Sequence, residues 1–170
     1  MTDAWINFYL IALVAFFAFM LIAYFCQANR RQITQALVYG VLSGLIVGVL
    51  SDLLWGKFFG LWSYTLGYEV LPLVVNAVLV WGLFSATVLI MKKLKFAQFF
   101  VGIMIMMIAY ETANYFLDVW TYEFSLPFFW FLMFLIAGNL AMAIFISMFW
   151  QAFLGERFRF IDDFLKRFQH

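Results

Sequence analysis

The chain has 170 residues, of which 68% are hydrophobic and 11% are charged, and its formal net charge at pH 7 is +1. Soluble domains are about 45–50% apolar, and a core built by a chain of this length cannot bury such an excess. The composition therefore excludes a soluble globular domain and predicts an integral membrane protein. A net charge this close to zero gives no indication of a nucleic-acid partner.

Long apolar runs divide the chain into segments that match the thickness of a bilayer. A hydrocarbon core of about 30 Å requires about 20 apolar residues in a helix, and several runs reach that length. Transmembrane strands would alternate in segments of about ten residues, and no such alternation occurs. We therefore predict an all-α, polytopic bundle of about five helices in one domain, residues 1–150, with helices over 5–26, 33–55, 70–91, 96–120 and 127–150.

The first run is predicted to be a retained helix rather than a signal peptide. No basic segment precedes it, and no small-residue cleavage site follows it. Cys26 is the only cysteine and His170 the only histidine, so a disulfide within the chain is excluded and haem, zinc or iron–sulfur sites are not expected. We expect no metal and no cofactor.

The basic residues predict the orientation of the bundle. Nine of the ten lie on one side of it, namely Arg30, Arg31, Lys92, Lys93, Lys95, Arg157, Arg159, Lys166 and Arg167. Because an excess of Lys and Arg marks the cytoplasmic side, the N-terminus and the connections after the second and fourth helices are expected outside. The cell membrane is the expected location.

The second predicted helix carries small residues at every fourth position, namely Ala36, Gly40, Gly44 and Gly48. Such a ladder lets a neighbouring backbone approach closely. The same spacing continues to Asp52, for which two interpretations stay open. Asp52 is either a boundary residue of a packing face or an acid opposite Glu111, with Asn76 and Asn139 as hydrogen-bond partners.

Two outer loops share the pattern Trp-Ser/Thr-Tyr, and Leu-Pro follows each of them. The residues concerned are Trp62, Tyr64, Trp120 and Tyr122. Trp and Tyr gather at membrane interfaces, so an aromatic belt is one explanation. The pattern also predicts a direct internal repeat, residues 33–91 and 96–150, with an axis along the membrane normal.

Glu111 is the acid predicted to lie deepest in the membrane. It stands about nine residues from the outer end of its helix, roughly 13 Å at 1.5 Å per residue. An ionised acid there costs about 2.5–3.5 kcal/mol or more, so we expect Glu111 to be protonated or hydrogen-bonded within the bundle. Asn114 and Asp118 continue the same helix face. This polar stripe predicts an outward-opening pocket with aromatic walls.

The last segment, residues 151–170, differs from the rest of the chain. Its apolar residues Phe158, Ile161, Leu165 and Phe168 recur at helical spacing between charges. We predict an amphipathic helix on the inner membrane surface. Docking on a partner subunit, or capping of the bundle, stays open as an alternative.

A pocket built from carboxylates and aromatic rings suits two kinds of chemistry. One is proton donation to an apolar substrate, with ring faces stabilising a developing cation; the other is proton-coupled transport. The predicted catalytic residues are Glu111, Asp52 and Asp118. The predicted substrate-binding residues are Asn114, Asn76, Asn139, Trp62, Tyr64, Trp120 and Tyr122.

The paired loops resemble those of known membrane proteins. Residues 60–64 and 118–122, each followed by Leu-Pro, are similar to loops of small uncharacterised bacterial multi-pass membrane proteins and, more distantly, of the lycopene-cyclase-domain proteins of carotenoid pathways. The likeness covers roughly residues 40–145, and it implies repeated helical units with membrane-embedded acids. That domain typically places acids directly after Pro-Leu, where this chain has Val74, Val75 and Asn76, so the resemblance implies no catalytic residues.

Three functions follow from these patterns. The first is an enzyme or binder that acts on an apolar, isoprenoid-like membrane lipid. The second is a structural or accessory subunit whose polar stripe contacts a partner membrane protein. The third is a proton-coupled carrier, which with five helices would work as a homo-oligomer, namely a dimer.

Overall fold

Five helices account for most of the 148 residues, 3–123 and 128–154, that the computed structural model describes. They are α1 (Asp3–Phe25), α2 (Arg30–Phe58), α3 (Val70–Met91), α4 (Phe96–Leu117) and α5 (Phe128–Leu154). Each contains a stretch long and apolar enough to cross a membrane. The predicted all-α bundle is therefore confirmed, and its architecture is that of a multi-pass membrane protein. Residues 151–154 of the predicted tail continue α5, whereas Pro127 and residues 155–170 of that tail lie outside the described residues.

Local capping moves two helix ends away from the predicted bounds. Helix α2 begins at Arg30 rather than at residue 33 because Asn29 caps it: the Gln32 N–H donates to the Asn29 side chain at 2.9 Å, and the Asn29 N–H donates to the Gln32 side chain at 3.0 Å. This reciprocal pair is a capping box. Helix α4 ends at Leu117 rather than at residue 120 because Asp118 is left-handed, with φ +48°, which terminates an α-helix.

Helix α3 is the centre of the bundle. About 67% of its apolar span is buried, against 39% or less in the other four helices. Helix α1 packs against α3 and α4, α2 packs along α3, and α5 packs against α3 and α4. Helix α1 is therefore part of the bundle and supports α3 and α4.

The small-residue ladder of α2 does what its spacing predicts. A Cβ atom on Gly44 would collide with the backbone of Ala77 and Gly82, and one on Gly40 would collide with the backbone of Gly82 and Ala86. The two helices meet through π-helical segments, Gly44–Gly48 in α2 and Ala77–Trp81 in α3. A further π-helical segment begins at Asp52. Such segments are rare, and they are frequent at functional sites.

The two aromatic loops pair with each other in a small sheet. Strands β1 (Trp62–Tyr64) and β2 (Trp120–Tyr122) are antiparallel, and Ser63 opposite Thr121 is the central pair. Backbone bonds extend the pairing on both sides, since the Thr65 N–H donates to the Val119 carbonyl and the Glu123 N–H to the Leu61 carbonyl, each at 3.0 Å. We call this end of the bundle the sheet end. The opposite end, where Lys92 and Lys93 connect α3 to α4, is the lysine end.

Candidate functional site

A cavity of about 760 Å³ lies between α2 and α5 and extends to the sheet. Residues of α3 and α4 form its floor, and most of its lining is apolar or aromatic. Leu50 of α2 and Phe145 of α5 stand at its rim, 62% and 56% exposed. Because these exposed apolar side chains lie on the spans themselves, the cavity opens sideways, toward the hydrocarbon of a membrane.

Trp150 connects α5 to α2 at the end of the cavity away from the sheet. Its indole N–H donates to the Ser43 hydroxyl, and its ring centroid lies 4.7 Å from that of Tyr39. Ser43 is almost completely buried, at 1% exposure. These contacts join the two walls of the cavity and close that end.

The hydrogen bond between Trp150 and Ser43 should be measurable as a coupling energy between substitutions of the two residues. Trp150→Phe keeps a ring on Tyr39 but removes the indole donor, so we expect the free energy of unfolding in detergent to fall by about 1 kcal/mol. Ser43→Ala removes the acceptor. The double variant should be less destabilised than the sum of the two, by about 1 kcal/mol, because the same bond is lost in each. Strict additivity in a denaturant titration would contradict the contact.

Asp52 is fully buried at the sheet end of the cavity. Its Oδ1 accepts from the Tyr64 hydroxyl at 2.9 Å, and its Oδ2 accepts from the Asn76 side-chain amide at 2.7 Å. The same amide also donates to the Tyr64 oxygen at 2.7 Å, and the indole N–H groups of Trp62 and Trp81 face the carboxylate. Both oxygens of Asp52 are therefore occupied by protein donors.

Glu111 lines the same cavity and is only partly surrounded. The Tyr122 hydroxyl donates to its Oε1 at 2.8 Å. Among the described residues this is its one hydrogen-bond partner, so Oε2 has no described donor. The two acids thus differ in kind: Asp52 is held by several donors, and Glu111 by one.

The loop tyrosines remain donors over a wide pH range. Burial raises the pKa of Tyr64 well above its usual value, and the nearby Asp52 charge raises it further. Burial and then the Glu111 charge raise the pKa of Tyr122 in the same direction. Burial, followed by the Asp52 charge, raises the pKa of Tyr68 to about 12. Since these phenols stay protonated at neutral pH, the acids always face O–H donors.

The structure brings most of the predicted site residues together. Eight of the ten line the cavity, namely Asp52, Trp62, Tyr64, Asn76, Glu111, Trp120, Tyr122 and Asn139. Asn76 bonds to Asp52, as its predicted role requires. Asn139 does not bond to either acid, because its amide donates to the Leu135 carbonyl of its own helix at 3.0 Å.

The predicted polar stripe ends at Glu111, which corrects the expectation for Asn114 and Asp118. Asn114 is buried, and its Oδ1 accepts from the N–H groups of Val119 and Trp120 at 3.1 and 2.8 Å. Its amide donates to the Trp120 carbonyl at 3.0 Å. Asp118 is exposed beyond the helix end. Neither lines the cavity, because α4 stops at Leu117 and the chain turns back over Asn114.

Of the aromatic cavity-lining residues that sequence reasoning missed, Trp81 and Tyr110 carry a polar group near the acids. Trp81 stands beside Asp52. Tyr110 is 8% exposed, and its hydroxyl has no hydrogen-bond partner among the described residues. Trp81 lies in an apolar run with no feature that indicates a site residue, whereas Tyr110 directly precedes Glu111 and could have been predicted from that position.

A smaller cavity of about 300 Å³ at the lysine end has the opposite polarity. Gln32, Gln35, Lys92 and Lys93 contribute to its lining. Burial lowers the pKa of Lys92, and the neighbouring Lys93 charge lowers it further. The large cavity, by contrast, has no Lys, Arg or His in its described lining. Among the described lining residues, the acids therefore lie in the large cavity and the lysines in the small one.

No group of three or more His, Cys, Asp or Glu side chains within the described ranges could hold a metal ion. Comparisons with protein-family models, with curated proteins and with solved structures find no match to this chain. The geometry of the cavity is therefore the basis for inferring a function.

Proposed function

We propose that the protein binds an apolar, isoprenoid-like membrane lipid in the cavity between α2 and α5. The observation that carries the proposal is the cavity itself: apolar walls, a sideways opening and carboxylates at one end only. Its volume of about 760 Å³ falls within the range of about 300–1,000 Å³ that is usual for ligand sites. A hydrocarbon chain can enter such a cavity from the bilayer without crossing water.

The two acids take different parts in this proposal. Glu111 is the acid that exchanges a proton or hydrogen bond with the bound lipid, because it lines the cavity and its Oε2 has no hydrogen-bond partner among the described residues. Asp52 positions Tyr64 and Asn76 and does not touch the lipid. Ring faces of Trp120 and Trp62 would stabilise positive charge that develops in a protonated substrate.

The same proposal places the protein in the cell membrane with its lysine end in the cytoplasm. It also includes a direct repeat. The register centred on Ser63 and Thr121 is the one that a two-fold axis along the membrane normal would produce. In each half a loop tyrosine donates to an acid of the preceding helix, Tyr64 to Asp52 and Tyr122 to Glu111.

Native mass spectrometry of the gently solubilised protein, with identification of the extracted lipids, tests this function. Wild type should retain one defined apolar molecule at fixed stoichiometry. Glu111→Gln keeps the side-chain shape but removes the acid, so the affinity for the lipid should fall about tenfold, which corresponds to about 1.4 kcal/mol, and less lipid should be retained. Asp118→Asn is the matched control, because it makes the same chemical change outside the cavity, and it should retain the lipid.

The opposite result has a clear meaning. If bulk phospholipid or a second protein accompanies wild type, Glu111→Gln and Asp118→Asn equally, lipid binding in the cavity is contradicted. The exposed apolar rim of α2 and α5 would then be a contact surface, and the protein an accessory subunit of a membrane complex.

A further inference from the structure

The charges that line the large cavity limit the kind of lipid it accepts. Its ionisable acids are Asp52 and Glu111, and its described lining contains no basic side chain. A phosphate or carboxylate placed there would add negative charge beside these acids in a medium of low dielectric constant, where like charges repel strongly. Lys92 and Lys93, which could pair with such a group, line the separate small cavity at the lysine end. Lys57 lies near the sheet end of α2 but is not part of the lining of the large cavity.

The hydrogen bonds at the sheet end limit the ligand further. Asp52 is fully buried, and its oxygens accept from Tyr64 and Asn76 and face the indole N–H groups of Trp62 and Trp81, so its acceptor positions are taken. Among the described residues, Glu111 accepts only from Tyr122, through Oε1. Its Oε2 is therefore the carboxylate oxygen available to a polar group of a ligand.

We infer that the lipid bound in the cavity ends in an uncharged hydroxyl group, and that this hydroxyl pairs with Glu111. The inference rests on the proposed function and specifies the ligand class as a long-chain alcohol. A hydroxyl both donates and accepts, so it pairs with Glu111 in either protonation state. It is also far less costly to move into an apolar site than a charged phosphate or ammonium.

The test compares three probes with the same chain, namely geranylgeraniol, geranylgeranyl phosphate and geranylgeranylamine. Each is titrated into the full-length protein in detergent, and native mass spectrometry follows binding and the displacement of bound alcohol. In wild type the alcohol should bind at least about tenfold more tightly than either charged probe. The phosphate should fail to displace it, even where it binds at the lysine end.

The variants test where the alcohol binds. Glu111→Leu removes both oxygens and should weaken alcohol binding about tenfold, whereas Asp118→Asn, outside the cavity, should bind like wild type. The ranking of the three probes needs only wild-type protein, so the inference stays testable if Glu111→Leu does not fold.

Two outcomes would overturn the inference. One is binding of the phosphate or the amine that equals or exceeds that of the alcohol in competition, and the other is alcohol binding that Glu111→Leu leaves unchanged. In each of these the proposed lipid-binding function stands and only the hydroxyl assignment falls. If wild type retains neither a native lipid nor any probe, the proposed function fails together with it.

Discussion

Gly44→Ala should destabilise the bundle by about 3 kcal/mol or more, although it adds a single methyl group. The new Cβ would collide with the Ala77 carbonyl oxygen and with the backbone of Gly82. Over-packing in a well-packed core typically costs about 1–3 kcal/mol, and more when the obstacle cannot move. Backbone atoms of the most buried helix cannot rotate away as a flexible side chain would, so α2 and α3 must separate.

The chain provides a matched control for this substitution in α5. Gly138 is also in a helix and also at the cavity, but a Cβ there would meet nothing within 4 Å. Gly138→Ala should leave stability unchanged or raise it by up to about 1 kcal/mol, because alanine favours the helix over glycine. Thermal or denaturant unfolding in one detergent compares the two. Equal stability of both variants would show that α2 and α3 do not pack as described.

Asn114→Leu should have the second largest effect, about 2–5 kcal/mol. The side chain satisfies the N–H groups of Val119 and Trp120 and the Trp120 carbonyl. Leucine has a similar volume but no polar atom, so it leaves buried backbone groups without partners, each at a cost of about 1–3 kcal/mol. Because this backbone leads into β2, amide hydrogen exchange at Val119 and Trp120 should accelerate as well.

Two further variants show whether the loss of stability comes from the hydrogen bonds of Asn114 or from the removal of any side-chain amide. Asn114→Asp retains the acceptor for Val119 and Trp120 and loses only the donor, so its stability should lie between those of wild type and Asn114→Leu. Asn139→Leu removes an amide that bonds only within its own helix, and it should cost less than about 1 kcal/mol. If the two leucine variants behave alike, Asn114 is not the residue that holds the loop.

These two predictions also concern the site. Asn114 holds the segment that carries Tyr122, whose hydroxyl is the one described donor to Glu111. The Gly44 contact brings α2 against Ala77 of α3, which follows Asn76, and Asn76 in turn bonds to Asp52. Lipid retention should therefore fall in Gly44→Ala and Asn114→Leu even though neither residue lines the cavity. Residues of this kind act by positioning the acids and not by touching the ligand.

Hydropathy in the sequence determined the membrane-spanning class and the approximate position of all five helices, because a bilayer requires about 20 apolar residues per crossing whatever the neighbours are. The four-residue spacing of Ala36, Gly40, Gly44 and Gly48 determined the face of α2 that packs closely, since small side chains at that period form a continuous groove. For Asp52 the sequence left two interpretations open, and in one of them Asn76 was a hydrogen-bond partner; the structure has that bond.

The tertiary structure alone decided the rest. Pairing of β1 with β2 joins residues almost 60 positions apart, and no local pattern specifies such a contact. Sequence periodicity put Asn114 and Asp118 on the face of Glu111, but the chain turned back at Asp118 and used Asn114 to satisfy its own backbone. The rotation of each helix, and with it the choice of side chains that line the cavity, is set by packing between helices. The spacing of residues in a single sequence does not determine this rotation.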